Sequence, residues 1–382
     1  MALTKATFSM IDGAYTNVKD YGAVGNGIAN DTDAIKAAVV AAVAAKNTLF
    51  FPSGTYLCNG LIGNVACNLL GISFLDTKIQ YTGTSADFIN FNGISGQVIE
   101  NISFQAINAA HAAYFTKTAA SFQSFNNCQW TGPANPGAGC LLYMNGAINV
   151  EINGCFFTGH HINLIGQDGG GSGFCNGIGI SNTLFANYKN CAVLNGGQGW
   201  LFDQVLFEHG VDNLVFAINT ETNPVWYGAI FTGCWFGDHT AINTGAIGFI
   251  RWKGYGLSMS GNYINGSGYL DTYVVQLTGT SSAINITGNY CGGLNGILNA
   301  GVFASNVVVA ANHMNPYTPG FQFEVNGTVG GFLLTNEKIK IPDVFFTPQS
   351  LPVSGIAEGQ TVYDTATKKL YCWNGTVWSA LF

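Results

Sequence analysis

Apolar and polar residues alternate along most of this chain in a short phrase that recurs. Two apolar residues are separated by polar ones; then come a small or amide residue, a Cys-like position and, two residues later, an apolar or aromatic residue. The phrase reads Phe122-Gln123-Ser124-Phe125-Asn126-Asn127-Cys128-Gln129-Trp130, then Val150-Glu151-Ile152-Asn153-Gly154-Cys155-Phe156-Phe157, then Ile178-Gly179-Ile180-Ser181-Asn182-Thr183-Leu184-Phe185, then Ala229-Ile230-Phe231-Thr232-Gly233-Cys234-Trp235-Phe236. Further copies end at Phe207, Ile264, Cys291 and Met314. Successive copies start roughly 22 to 29 residues apart, a period that marks stacked repeats. Each copy has the two-residue period of a strand and is broken by Asn, Gly or Ser where a bend is needed. The pattern predicts an all-β parallel solenoid with about one coil per copy. Val150, Ile152, Cys155 and Phe157 then face in, while Glu151 and Phe156 face out. Stacking puts Cys128, Cys155 and Cys234 at one interior position, where free thiols act as small hydrophobes. Asn153, Ser181, Asp203 and Thr232 fall at the equivalent bend, where short polar side chains bond the local backbone.

Ahead of the array, Asp31 or Thr32 is a suitable N-cap for a short helix over the Ala-rich stretch Ala34 to Lys46, and a solenoid needs such a cap on its first coil. The glycines at 22, 25 and 27 lack the Lys-Ser/Thr of a P-loop and the order of a dinucleotide loop, so nucleotide binding is not read from them. After Ile341, Pro342, Pro348 and Pro352 form a linker to a Tyr/Trp-rich end. The chain is thus divided into an N-terminal segment 1–17, a solenoid 18–345 and a terminal β-module 346–382.

Composition sharpens this picture. The 382 residues hold 13 Lys+Arg and 20 Asp+Glu, a formal net charge of −7, which argues against a nucleic-acid binder. Only 9% of residues are charged, so Asn, Ser, Thr and the 51 glycines must carry solubility. Apolar runs such as Ala37 to Ala45 are far shorter than the roughly 20 residues of a membrane span, so no membrane insertion is expected. The N-terminus lacks the apolar core of a secretory signal, and synthesis in the cytosol is expected. The ten cysteines form no C-x-x-C pair, which disfavours zinc and redox motifs.

The stretch Val18 to Ala45, with Asp20-Tyr21-Gly22-Ala23 and Asp31-Thr32-x-Ala34-Ile35, resembles the entrance motif of the pectate-lyase-like right-handed parallel β-helix superfamily. Ala2-Leu3-Thr4-Lys5 to Ile11-Asp12-Gly13-Ala14 resembles the leader before this motif in bacteriophage tailspike and tail-fibre proteins. Gly359 to Trp378 resembles a small terminal β-module of phage receptor-binding proteins. The resemblance implies a right-handed, single-stranded parallel β-helix with an N-terminal capping helix, assembled as a homotrimer. It also implies a virion tail protein made in the host cytoplasm and held to the phage tail or an adaptor by its N-terminus. Such a protein binds, and often cleaves, a bacterial surface polysaccharide such as lipopolysaccharide O-antigen or capsule.

Glycoside hydrolysis needs two carboxyl groups about 5 Å apart for retention or roughly 6.5 to 9.5 Å apart for inversion. Coils stacked about 4.8 Å apart can supply either spacing. Glu208-His209 follows the inward Phe207, Asp238-His239 follows Phe236 one coil later, and His160-His161 follows Phe157. Glu208 and Asp238 are therefore the first candidates for the acid pair. Asp203 is near in sequence, though its register also suits a structural role at the bend. His160, His209 and His239, with Trp226, Trp252 and Tyr255 in loops near this edge, are candidates for sugar contact. A solvated turn whose acids supply solubility is the alternative for this strip. Asp168 lies in a glycine-rich loop that could be a lip over a groove or only a loop, and Glu151 points outward and could join the strip.

The N-T-D, D-D, G-H-G, R-I-K series of polygalacturonase-like members is not matched. Glu208-His209-Gly210 and Arg251-Trp252-Lys253 are loosely similar to its last two parts, but Asn182-Thr183 is followed by Leu184 and no Asp-Asp pair exists. No metal is expected: the histidines at 160, 161, 209 and 239 read as solvated or sugar-contacting, and no acid cluster suits a calcium-assisted lyase. No cofactor is expected either. The outward column Phe156, Leu184, Leu206, Trp235, Tyr263, Tyr290, His313 reads as a homotrimer contact, with sugar stacking as the alternative. The functional readings are a hydrolytic tailspike, a non-catalytic receptor-binding tail protein and, less favoured, a polysaccharide lyase or a bacterial polysaccharide-degrading enzyme.

Overall fold

A computed structural model describes residues 13–83, 88–91, 95–107, 113–118, 121–132, 140–159, 162–167, 175–187, 190–195, 197–208, 216–219, 226–237, 248–265, 273–277, 279–292, 296–300, 304–314, 323–325, 329–335, 339–340, 361–364, 367, 369–374 and 376–380. The chain divides into two compact units, Met1–Lys340 and Ile341–Phe382.

In the first unit each recurring phrase contributes strands to two different sheets, and the residues between phrases contribute to a third. Among the described residues, sheet A has 13 strands, from Thr16–Asn17 to Val329–Thr335. Sheet B has 12, from Asn26–Asn30 to His313–Met314, and sheet C has 12, from Gly63–Asn64 to Ile339–Lys340. Each strand pairs in parallel with its counterpart one coil away, as Phe157 does with Trp130 and Phe185. The unit is a parallel β-solenoid of the right-handed type with a single α-helix among its described residues.

The corner from sheet A to sheet B explains the phrase. A sheet A strand ends at Asn126, Asn153, Ser181, Asp203 or Thr232, which share one register column. The next residue is left-handed: Asn127 (φ 50°), Gly154 (62°), Asn182 (49°), Gln204 (53°) or Gly233 (60°). Asn and Gly tolerate that conformation best, which is why they recur. The polar residues of the column bond from coil to coil as well as bending the chain: Ser181 Oγ donates to Asn153 Oδ1 at 3.0 Å, and Asn126 Nδ2 to Glu100 Oε1 at 3.0 Å.

The residue after the left-handed one points inward. Cys128, Cys155 and Cys234 stack there as the repeat predicts, with Thr183 and Val205 between them and Asn262 and Asn289 beyond, all buried. Cys155 Sγ donates to the carbonyls of Phe125 and Asn153 at 3.4 Å each. Burial pushes the Cys155 and Cys234 thiols up to about 12 and Cys128 well above its usual range. Where the column turns to asparagine, the side chains form a ladder. Asn262 donates to Asn289 Oδ1 from its backbone N–H (3.0 Å) and its Nδ2 (2.8 Å), and Asn289 repeats both bonds to Asn312 at 3.0 and 2.9 Å.

The core is a column of rings from the middle residues of the sheet B strands. Phe104, Trp130, Phe157, Phe185, Phe207 and Phe236 stack with centroids 4.5 to 5.7 Å apart. Along sheet A, Phe202 and Phe231 stack at 4.6 Å.

Helix α1 (Thr32–Ala45) buries Ile35, Ala38, Val39 and Ala42, the i, i+3, i+4, i+7 face of an amphipathic helix. Ile35 and Val39 lie against Leu49, Leu69, Ile79 and Ile89 of the first coils. Asp31 holds the N-cap position but makes no side-chain capping bond. Its buried carboxylate instead accepts from the N–H groups of Val24 (2.7 Å) and Gly25 (3.1 Å), and so fixes the glycine turn before the helix.

In the second unit, Thr361–Asp364, Lys369–Trp373 and Trp378–Ala380 form an antiparallel three-stranded sheet. Asn374 Oδ1 accepts from the N–H groups of Thr376 and Val377 at 3.0 and 2.8 Å, which sets its second turn.

Candidate functional site

A three-residue strand of sheet B sends its middle side chain inward and the flanking two outward. The first outward column runs in register through Phe156, Leu184, Leu206, Trp235, Tyr263, Tyr290 and His313, as the sequence spacing predicts. The Tyr263 and Tyr290 rings stack 4.9 Å apart with planes 7° from parallel, and His313 continues the stack at 5.0 Å. Rings stacked along the axis spend their faces on each other and turn their edges outward. Trp235 differs. It is tilted 51° from Tyr263, and its indole nitrogen fills the space into which a Gly237 Cβ would project.

The second outward column reads Thr131, Thr158, Ala186, Glu208, Gly237. Glu208 is half-buried and is the register neighbour of Gly237, so the Trp235 indole lies over the residue next to Glu208, about one 4.8 Å rung away along the axis. A carboxyl residue and a ring that can face sugar C–H groups thus sit on neighbouring rungs of sheet B. The residues on either side of Glu208 are small, Ala186 and Gly237, and both are buried.

Other expected site residues fall elsewhere. Register places Gly237, not Asp238, beside Glu208; Asp238 follows one residue later and lies outside the described residues. His160, His161, Asp168, His209 and His239 also lie outside them. Asp203 ends a sheet A strand in the corner column, half-buried, between Ser181 and Thr232. Asp203 and Glu208 therefore belong to two sheets joined by the corner. Trp226 opens the strand Trp226–Thr232, where it pairs with Gly197; its side chain is outside the described residues. Tyr255 is exposed at the start of the sheet A strand Tyr255–Ser260.

Trp252 corrects the sequence reading. It is fully buried, the last residue of the sheet C strand Gly248–Trp252, and its Nε1 donates to the Gly254 carbonyl at 3.2 Å. It is a core residue and no sugar contact, because the strand alternates Ile250 in, Arg251 out, Trp252 in. Burial lowers the Arg251 guanidinium below its ordinary value. Trp235 was legible only as one member of an interface column. Its singular position rests on Gly237, and the sequence signal for that was a glycine two residues after an outward aromatic. Among the described residues, no group of three or more His, Cys, Asp or Glu is placed to hold a metal ion, and no helix is long and apolar enough to cross a membrane.

The rhamnogalacturonase A/epimerase, pectate lyase-like family matches residues 15–237, more than half of the chain. The chain belongs to this family. No curated protein matches it by sequence. Solved structures share the family's fold at low identity. ORF18 of Geobacillus virus E2 is 15% identical with a TM-score of 0.56, over 96% of this chain and 86% of that one. PfbA, a surface adhesin of Streptococcus pneumoniae, is 12% identical with a TM-score of 0.59, over 96% and 99%. A tailspike protein of E. coli bacteriophage HK620 is 13% identical with a TM-score of 0.58, over 82% and 71%.

Proposed function

We propose that this chain is a phage tailspike that binds a bacterial surface polysaccharide along sheet B and cleaves it by glycoside hydrolysis. The observation that carries the reading is the placing of Glu208 beside the Trp235 indole over Gly237. Trp235 offers an apolar ring to one sugar, and Glu208 serves as one carboxyl of the pair. Asp238, one residue past the register neighbour of Glu208, is the proposed second. In hydrolysis one carboxyl group protonates the leaving oxygen, while the other attacks the anomeric carbon or activates a water. The viral origin of two fold relatives, one of them a tailspike, accords with this reading.

The same proposal extends to assembly. Residues 1–17 attach the protein to the virion, α1 caps the first coil, and residues 346–382 form a terminal module. The chain is made in the host cytoplasm and assembles as a homotrimer. The edge-outward stack of Tyr263, Tyr290 and His313 supports a subunit contact on sheet B, since exposed apolar columns commonly mark interfaces.

The test is incubation of purified protein with surface polysaccharides of candidate hosts, following chain length, reducing ends and unsaturated-sugar absorbance. Shortening with new reducing ends and no unsaturated product, lost in Glu208→Gln, is the expected result. Binding without shortening would replace it with the receptor-binding reading, and unsaturated product would replace it with a lyase.

A further inference from the structure

On the outer face of sheet A, four successive coils leave an open groove of about 530 Å3. Its floor is bare backbone at Gly177, Gly179 and Gly199, and its walls include Phe122, Glu151 and Leu201. Three features point to a ligand. The first is conformational. Phe122 has φ 58°, in the left-handed region that an aromatic residue adopts only under strain. The equivalent position on later coils, five residues before the corner's left-handed residue, holds Asn149, Gly177, Gly199, Gly228, Gly256, Ala283 and Asn306, all with positive φ. Six of these seven are Gly or Asn and the seventh is a small alanine, yet this coil carries a phenyl ring that is 64% exposed and contributes nothing to the core. A strained residue kept at an exposed site is a sign of use.

The second feature is shape: an aromatic wall at one end, aliphatic Leu201 at the other and glycines between them let a flat, chain-like molecule reach the backbone. The third is charge. Glu151 is exposed, and none of the described residues lining the groove is basic. A carboxylate with no cation beside it accepts hydrogen bonds from hydroxyl groups and repels anionic sugars.

We propose that this groove is a second carbohydrate site, binding a neutral oligosaccharide segment along the solenoid axis, with Phe122 stacked on a sugar face and Glu151 accepting from hydroxyls. It lies on sheet A, around the corner from Glu208 on sheet B, and it holds the polymer without cleaving it, whether or not the sheet B edge is catalytic.

Gly179 makes the test clean. Its φ is ordinary and an added Cβ meets nothing within 4 Å, so Gly179→Leu puts a side chain into the groove without straining the backbone. The full chain carrying Glu208→Gln, which prevents consumption of any probe, is tested on an array of neutral and uronate-containing oligosaccharides, alone and with Gly179→Leu or Phe122→Gly added. The expected result is retention of neutral glycans that falls at least tenfold with either added change, while Phe122→Gly raises the melting temperature by relieving the strained backbone. Retention that depends on neither residue, or that favours uronates, overturns the proposal. A change of oligomeric state with Gly179→Leu, read by light scattering, also overturns it and assigns the groove to a second copy of the chain.

Discussion

The rings of Trp130 and Phe157 lie one coil apart with planes 3° from parallel and centroids separated by 4.5 Å. Phe157 makes a second stack on its other face, with Phe185 at 4.8 Å. Phe157→Ala would open a cavity between two fixed coils, with an expected cost of about 3–5 kcal/mol in urea unfolding. Phe157→Leu keeps most of the apolar volume and is expected to cost clearly less. Equal losses would mean that ring stacking, rather than filled volume, holds the column.

The Glu208 patch predicts a division of labour in polysaccharide turnover. Glu208→Gln is expected to lower kcat about 10²- to 10⁴-fold with KM little changed. Trp235→Ala should raise KM instead. Gly237→Ala should imitate Trp235→Ala, because the new methyl group would displace the indole from beside Glu208. Reducing-end kinetics on the three variants separates these effects.

Asn289 is the middle of the described asparagine ladder. Its Oδ1 accepts two bonds from Asn262, and its Nδ2 donates to Asn312 Oδ1 and to the Met259 carbonyl at 3.2 Å. Asn289→Ala leaves buried polar groups unmatched on both neighbouring coils, with an expected cost of about 3 kcal/mol in chemical denaturation. Asn289→Thr should recover part of this loss. Thr183 holds the same column position and its Oγ1 accepts from the Cys155 N–H at 3.3 Å.

The buried thiols make stability fall in alkali. Burial raises Cys155 and Cys234 to about 12 in the folded chain, from an ordinary value near 9 that applies when it is unfolded. Below pH 9 both states hold these protons and stability is unaffected by them. Between pH 9 and about 12 the unfolded chain gives them up first, so stability drops by up to about 1.4 kcal/mol per pH unit for each thiol. Urea midpoints at pH 8 and pH 10 should show the fall, and a Cys155→Val, Cys234→Val double variant should show less of it. In the native protein at pH 8, Cys372 in the terminal unit should react with a thiol reagent before the buried Cys128, Cys155 and Cys234.

The coil was legible because its corner is stereotyped. One left-handed residue and one inward residue leave little freedom, so the Asn/Gly and Cys positions repeat in sequence and betray the register of sheets A and B. Sheet C has no such corner signature, and its strands sit between connections of varied length. The strand that ends at Trp252 therefore has no signature in sequence, and nothing there marks Trp252 as the core residue it is. The sheet A groove escaped for a different reason. Its cause is a left-handed residue five positions before each corner, a spacing that was present in the glycines at 177, 199, 228 and 256 but lies outside the apolar alternation. Glu208 stands out in the sequence because it follows the inward Phe207 in a chain of few charges; the proximity of Trp235 needs the register that sets Gly237 beside Glu208.

In all three sheets of the solenoid the backbone hydrogen bonds point along the long axis, from each coil to the next. A pull along that axis therefore loads the coils in series, and the weakest junction sets the breaking force. The stretch with the asparagine ladder adds side-chain bonds in the same direction, acting as a tensile reinforcement where the aromatic core column has given way to Ile264 and Cys291.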